Sequence, residues 1–468
     1  MALLSINPAT GEQIDAYPEM TPAEVEEALA EARAAFLDWR RASFDTRAAL
    51  LKSLAAELRL RTPALARLMA LEMGKPVAQG ESEVQKCASA CDYFAAHGAP
   101  FLAGEEIATD ARRSFVTCQP LGVVLGVMPW NFPFWQVFRY AAPALLAGNA
   151  SVLKHASNVT ACALAIEDVF RTAGAPPGLF RTLRLGSGRV GDIIDDSRIA
   201  AVTVTGSTRA GRAVAARAGQ AIKKTVLELG GSDPYLILDD ADLPAAVHTC
   251  VSSRLINSGQ SCIAAKRFIV TERRVAEVER LFTAEMTAQR MGDPMTPGVD
   301  VGPQARHDLR DALHRQVMES VARGARLLLG GQLPEGPGAF YPPSILTDVK
   351  RGTPAHDEEL FGPVAAIIVV GDEAEQIRVA NDSTFGLGAA VFTTDLERGT
   401  RIAAEEIEAG NCFVNAFVRS DPRLPFGGIK ESGYGRELGP WGVREFVNIK
   451  TVYVDAPGGA GGGRAKNE

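Results

Sequence analysis

The sequence has no apolar run approaching the ~20 residues that a membrane-spanning helix needs. It also has no basic excess: 49 Lys and Arg stand against 56 Asp and Glu, a net charge of −7. A nucleic-acid binder would need a basic face, so neither nucleic acid nor membrane is expected as a partner. Histidine is scarce, and the six residues (97, 155, 248, 307, 314 and 356) show no metal-ligand spacing beyond His307 and His314, which sit on a polar helical stretch. The seven cysteines are an odd number scattered along the chain, and Cys87 and Cys91 have no second pair or nearby histidine to complete a zinc set. No metal site is expected, and the cysteine usage fits a reduced, cytoplasmic location. The N-terminal stretch has no basic region followed by a long apolar segment, so no secretion signal is expected. Internal repeats, charge blocks and a Ser-His-Asp arrangement are missing as well.

What is present is a chain of 468 residues, 46% hydrophobic and 22% charged, long enough to bury a large core without staples. Residues 21–70 read as helix behind a Thr21-Pro22 start with Glu24 as capping partner, and 81–97 as a second helix. From 121 the texture becomes short apolar runs alternating with helical stretches. Strands are expected at 121–128, 150–155, 180–185, 200–206 and 223–230, with helices at 135–148, 160–174, around 190–196 and at 207–219. Such alternation predicts a parallel, doubly wound sheet, which binds its ligand at the carboxyl ends of its strands. A second α/β series is expected over 231–436, with strands at 234–239, 266–271, 364–370, 388–393 and 411–415. The glycine-rich tail from Pro457 reads as disordered.

Several residues carry chemistry at these strand ends. Cys262 follows Asn257-Ser258-Gly259-Gln260-Ser261, a turn where a thiolate can be reached by substrate and steadied by backbone N–H groups; the other reading is a small buried residue, which most lone cysteines are. Glu228 lies between two leucines at a strand end, where burial would raise it toward a general base, or else it faces outward before a Gly-Gly turn. Asn131, inside Pro129-Trp130-Asn131-Phe132-Pro133, can donate to an oxyanion or cap a helix. Lys154 ends a strand and can reach a ribose or phosphate, or stay solvated. Gly206 and Gly211 flank the turn into the helix at 207–219, whose N–H groups can face a pyrophosphate or form a simple helix start after a strand; the spacing is not that of a GxGxxG fingerprint.

Taken in order, the Pro-Trp-Asn segment, Lys154, the Gly206-Ser207 turn, Glu228-Leu229-Gly230-Gly231 and Gly259-Gln260-Ser261-Cys262 resemble the aldehyde dehydrogenase superfamily. Glu358-Glu359-Leu360-Phe361-Gly362-Pro363 and Pro425-Phe426-Gly427-Gly428-Ile429-Lys430-Glu431-Ser432-Gly433 follow in the same order, and the resemblance spans 7–454. It implies Cys262 as nucleophile, Asn131 with the Cys262 N–H as oxyanion donors, and Glu228 as activator of the water that hydrolyses a thioester. It implies cofactor contacts from Trp130, Lys154, Ser157, Gly206, Ser207, Glu359 and Phe361. It further implies an α/β fold in three parts: a doubly wound cofactor domain (1–99 and 120–229), an α/β catalytic domain (230–436) and a small β oligomerisation element (100–119 and 437–456), assembled as a homodimer or homotetramer.

The resemblance also bears on specificity. Many relatives that prefer NAD carry glutamate at the third residue after the lysine. Ser157 here leaves room for a 2′-phosphate, and NADP is the favoured cofactor with NAD as an alternative. His155 replaces a proline common in the family and is expected to add a contact to the cofactor. The stretches 132–146, 154–158 and 257–268 are most similar to bacterial succinate-semialdehyde dehydrogenases. Arg139, Ser420 and Arg423 lie in segments that border the family's substrate tunnel, and they suit an aldehyde whose far end is a carboxylate. The alternatives are a broad aliphatic aldehyde dehydrogenase, a coenzyme-A-acylating enzyme (which Glu228 disfavours) and a catalytically silent relative, which would be expected to have lost Cys262 or Glu228. Ser261 leaves no thiol beside Cys262 for a regulatory disulfide.

Overall fold

The computed structural model describes residues 2–455. The expected tail at 457–468 lies outside the described residues. The capping box forms as read: Thr21 Oγ1 accepts from the Glu24 N–H at 3.3 Å and Glu24 Oε2 accepts from the Thr21 N–H at 2.7 Å. The single helix expected over 21–70 is two helices, Pro22–Trp39 and Phe44–Met73. The break falls where Ser43 turns extended and its hydroxyl caps the second helix by accepting from Thr46 N at 3.1 Å, a signal masked by the uniformly helix-favouring composition. The next helix, Val77–His97, begins four residues before the expected start, directly after Pro76.

Two large sheets dominate. The first has the order Gly433–Tyr434, Lys224–Glu228, Ile199–Thr205, Val123–Met128, Ala150–His155, Phe180–Thr182, parallel except for the first strand. Its central strands are buried on both faces, which is why they read as continuous apolar runs rather than alternating ones. Tyr140 crosses so close to Gly126 that a Cβ there would lie 2.1 Å from its hydroxyl. The strand expected at 180–185 stops at Thr182.

The second sheet has seven strands, in the order Arg326–Leu329, Ser344–Thr347, Val364–Val370, Arg267–Thr271, Pro234–Ile237, Gly388–Phe392, Asn411–Val414; only Arg326–Leu329 runs antiparallel to its neighbour. The strands at 326 and 344 were not anticipated, nor was the N-terminal hairpin Ala2–Ile6 with Gln13–Pro18. A third, antiparallel sheet joins Val447–Val454 to Arg113–Pro120 and Glu105–Glu106. Among the described residues no helix is long and apolar enough to cross a membrane.

Candidate active site

The strand Val123–Met128 lies between Ile199–Thr205 and Ala150–His155, and the chain proceeds outward from it in both directions. The crevice at its carboxyl end is therefore the switch point of a doubly wound sheet, where ligands bind. A cavity of about 250 Å³ opens there, and its walls include Trp130, Asn131, Gly206, Ser207, Cys262, Glu359 and Phe361. Seven residues singled out at separate places in the sequence thus share one space. Trp130 and Phe361 meet edge to face across it, with ring centroids 5.7 Å apart.

Cys262 reaches the cavity through an unusual turn. After the helix Leu243–Leu255 the backbone takes three left-handed residues in succession: Asn257 (φ 53°), Ser258 (φ 56°) and Gly259 (φ 77°). A Cβ on Gly259 would sit 2.2 Å from the carbonyl carbon of Gly362, so only glycine lets the segment carrying Glu359 and Phe361 approach. Asn131 Nδ2 donates to the Gln260 carbonyl at 3.1 Å, which uses one of its two N–H groups. The backbone N–H of Cys262 has no acceptor among the described residues. Both can therefore donate to an oxygen beside the thiol. Lys266, which the sequence reading missed, anchors the loop from behind. Its ammonium donates to the carbonyls of Ser261 at 2.9 Å and Cys262 at 2.7 Å, and lies 3.4 Å from Glu359 Oε1. Glu359 in turn accepts from the Gly231 N–H at 3.0 Å. Burial pushes the Cys262 thiol up to about 11, while Arg139 and Lys266 pull it down.

Glu228 ends its strand, paired with Thr205 on one side and Gly433 on the other. It is buried, and neither carboxylate oxygen finds a hydrogen-bond partner among the described residues. Burial holds its carboxyl well above the usual range, the Arg139 guanidinium opposes that, and the Glu437 carboxylate reinforces it. A raised carboxyl with free lone pairs suits a proton acceptor.

Lys154 is buried at the end of its strand and forms no ion pair among the described residues; burial lowers its pKa, and the field of Glu19 works against that shift. Ser157 opens the short turn that follows, and its carbonyl accepts from Thr160 Oγ1 at 2.9 Å. Ser207 caps the helix Thr208–Gln220 by accepting from Ala210 N at 3.3 Å. A dinucleotide fits this set: a helix N-terminus for the diphosphate, a buried uncompensated ammonium, and an aromatic-walled cavity beside the thiol. His155 does not join it. The ring is buried, with Nε2 on the Pro133 carbonyl and Nδ1 on the Ala156 N–H, both at 2.9 Å, so the expected contact to the cofactor is ruled out by its internal bonds.

The three expected substrate contacts are not brought together. Arg139 is fully buried in an ion pair with Glu437, donates to Thr205 Oγ1 at 3.3 Å and lies 4.8 Å over the Phe426 ring. Ser420 is buried and accepts a hydrogen bond from Lys86 Nζ at 2.7 Å. Arg423 points outward, its side chain 72% exposed and gripping Asp421 through two bonds at 2.9 and 2.6 Å; the Asp421-Pro422 turn brings its own counterion beside it. Lys86 and Glu437 escaped the sequence reading because each is paired with a residue far away in the chain. Among the described residues no group of three or more His, Cys, Asp or Glu is placed to hold a metal ion.

Residues 2–452 match the model of the aldehyde dehydrogenase family. The chain belongs to that family. It is 48% identical over 454 residues to the probable succinate-semialdehyde dehydrogenase [NADP(+)] of Synechocystis sp., covering 97% of this chain and all of that one. It is 48% identical over 452 residues to the succinate semialdehyde dehydrogenase [NAD(P)+] Sad of Escherichia coli K12, covering 97% and 98%. Among solved structures, the succinic semialdehyde dehydrogenase of Streptococcus pyogenes in complex with NADP+ superposes with a TM-score of 0.95 at 37% identity, covering 97% of this chain and all of that one.

Proposed function

We propose that this enzyme oxidises succinate semialdehyde to succinate, with NADP⁺ preferred over NAD⁺. The observation that carries the chemistry is the meeting of Cys262, Asn131 and five of the expected cofactor residues (Trp130, Gly206, Ser207, Glu359 and Phe361) on one cavity, with Glu228 at the next strand end. The relatives that match over their full length supply the substrate class.

On this reading the Cys262 thiol loses its proton to solvent water and the thiolate sulfur attacks the aldehyde carbon. The carbonyl oxygen, now an alkoxide, lies against the second N–H of Asn131 and the free backbone N–H of Cys262. The dinucleotide, when bound, supplies the hydride acceptor that converts the thiohemiacetal to a thioester. Glu228 then takes a proton from water, and the resulting hydroxide attacks the thioester carbonyl. Collapse expels the Cys262 sulfur and releases the acid. Presence of this carboxylate favours hydrolysis over transfer to coenzyme A. Ser157 provides the small residue that leaves space for a 2′-phosphate.

The assembly is proposed to be a homodimer or homotetramer built through the three-stranded sheet, whose outer strand Val447–Val454 leaves Ile449 and Tyr453 exposed. A cytoplasmic location is supported by seven cysteines that are all free.

The test is steady-state kcat/KM for succinate semialdehyde and for butanal, each with NADP⁺ and NAD⁺. A preference of ~100-fold or more for the semialdehyde, worth ~2.7 kcal/mol, is expected. Equal rates would leave a general aldehyde dehydrogenase, and a clear NAD⁺ preference would overturn the role given to Ser157.

A further inference from the structure

Glu83 occupies the start of the helix that follows Asn131. That helix, Trp135–Leu146, has no capping side chain from its own loop. The N–H groups of Phe134 and Trp135 instead donate to a single oxygen, Glu83 Oε1, both at 2.9 Å. Glu83 is buried and comes from a different helix, Val77–His97. A carboxylate suits the place, because a helix start carries orphan donors and the positive end of the helix dipole. Its other oxygen, Oε2, pairs with the Lys75 ammonium, which is buried as well. That ammonium lies 3.9 Å over the ring of Phe132, the residue next to Asn131. Lys75 and Glu83 thus grip Phe132, Phe134 and Trp135, and the remaining residue of the stretch, Pro133, is bonded through its carbonyl to His155.

The helix that carries Glu83 also reaches the thiol loop. Gln79 Oε1 accepts from the Asn257 N–H at 2.7 Å. Gln79 and Glu83, four apart, share a face, so one rigid element fixes the loop of Cys262 and the loop of Asn131 together. Stability does not explain the charges. A buried ion pair can often be exchanged for apolar residues of similar volume at no cost to the fold. What the pair supplies is geometry. Asn131 spends one N–H on the Gln260 carbonyl at 3.1 Å, and the aim of the second follows the backbone that Glu83 holds. A donor displaced by ~1 Å from a developing oxyanion loses much of its effect.

We propose that Glu83, paired with Lys75, is a positioning residue for the oxyanion donor Asn131, acting on turnover through the loop it caps and not by contact with the reacting atoms. This rests on the role given to Asn131 above, and the experiment separates the two. The quantity is kcat/KM for succinate semialdehyde at saturating NADP⁺. Asn131→Ala is expected to lower it ~100-fold. Lys75→Met/Glu83→Met, which removes both charges at similar volume, is expected to lower it ~10-fold or more. Lys75→Met/Glu83→Gln should recover part of that loss, because an amide oxygen can again accept from the two N–H groups. In an Asn131→Ala background the Lys75→Met/Glu83→Met change should cost little more, since nothing is left to position. Alkylation of Cys262 by iodoacetamide passes through no oxyanion, so its rate should stay at the native value in every Lys75 and Glu83 variant. Glu83→Asp keeps the charge, shortens the reach by one methylene, and carries the same comparison should the paired variant not fold. Native kcat/KM in Asn131→Ala overturns the oxyanion role and this proposal with it. A loss in Asn131→Ala with native values in the Glu83 variants overturns the positioning role alone. So does a full further loss in the Asn131→Ala background, or alkylation that slows in parallel, since either marks general damage.

Discussion

Asn257 donates its side-chain amide to the backbone carbonyl of Asn131 at 2.7 Å, tying the loop that carries the thiol to the loop that carries the proposed oxyanion donor. The same amide group reaches the Gln260 carbonyl at 3.1 Å, the acceptor that Asn131 also uses. Two segments from different sheets are thereby fixed relative to one another by a single residue in the left-handed region, a conformation that asparagine tolerates better than most.

Replacing that residue tests whether the tie matters for turnover. Asn257→Gly keeps the backbone conformation and removes both bonds. Loss of buried hydrogen bonds of this kind is worth ~1–3 kcal/mol, and kcat is expected to fall ~10- to 100-fold with a smaller change in KM. An unchanged kcat would mean that the two loops hold their places without it.

The thiol should be sluggish until the pH is high. With Cys262 pushed up to about 11, the thiolate fraction near neutrality is small and grows ~10-fold per pH unit. Carbamidomethylation of the peptide that carries Cys262, read by mass spectrometry after iodoacetamide treatment in the absence of cofactor, is expected to accelerate steadily from pH 7 to pH 10 and to be lost at that position in Cys262→Ser. Arg139→Gln removes a charge that lowers the thiol, so its alkylation should be slower at every pH in that range. A plateau beginning near pH 7 would contradict the burial argument.

Cofactor choice should yield to one side chain. Ser157→Glu places a carboxylate where a 2′-phosphate is proposed to lie, and like-charge contact costs several kcal/mol. The kcat/KM for NADP⁺ is expected to drop ~100-fold or more, with NAD⁺ affected far less. Equal losses for both would point to damage of the turn rather than repulsion.

Acid stability should depend on His155. Burial lowers its folded value to about 4, against 6.5 for the free side chain, so the unfolded chain binds the proton more readily. Its contribution to stability is intact above 6.5 and is lost as pH falls toward 4; at pH 5 the loss amounts to ~2 kcal/mol. The melting temperature should therefore fall between pH 7.5 and pH 5, and fall less in His155→Gln. An identical drop in the two proteins would place the acid sensitivity elsewhere.

The contrast between His155 and Lys154 marks what the sequence can convey. Strand ends, the helix-opening turn and the ordered motifs around Asn131, Glu228 and Cys262 were legible because parallel sheets gather such positions at one edge. Their environments were not. His155 was expected to face a ligand, yet its neighbour Pro133 belongs to another strand end, and that distant carbonyl consumed the ring. Arg139 was read as a free cation because Glu437 lies far along the chain. Lys86 looked like an ordinary helix residue until Trp135 and Ser420 closed around it. Counterions and hydrogen-bond partners at long range are set by tertiary packing, which no local pattern encodes.

The short strand Gly433–Tyr434 has a consequence for how the enzyme is made. It covers the edge strand that ends in Glu228, and it comes from the far end of the chain. While the polypeptide is still emerging from the ribosome, that edge stands bare, and the Glu437 that neutralises Arg139 has yet to be synthesised. The first sheet can collapse early, but its active edge is completed last. A fragment that stops before residue 433 is therefore expected to form an open sheet without a finished site, and the enzyme cannot begin turning over until residues 433–437 are in place.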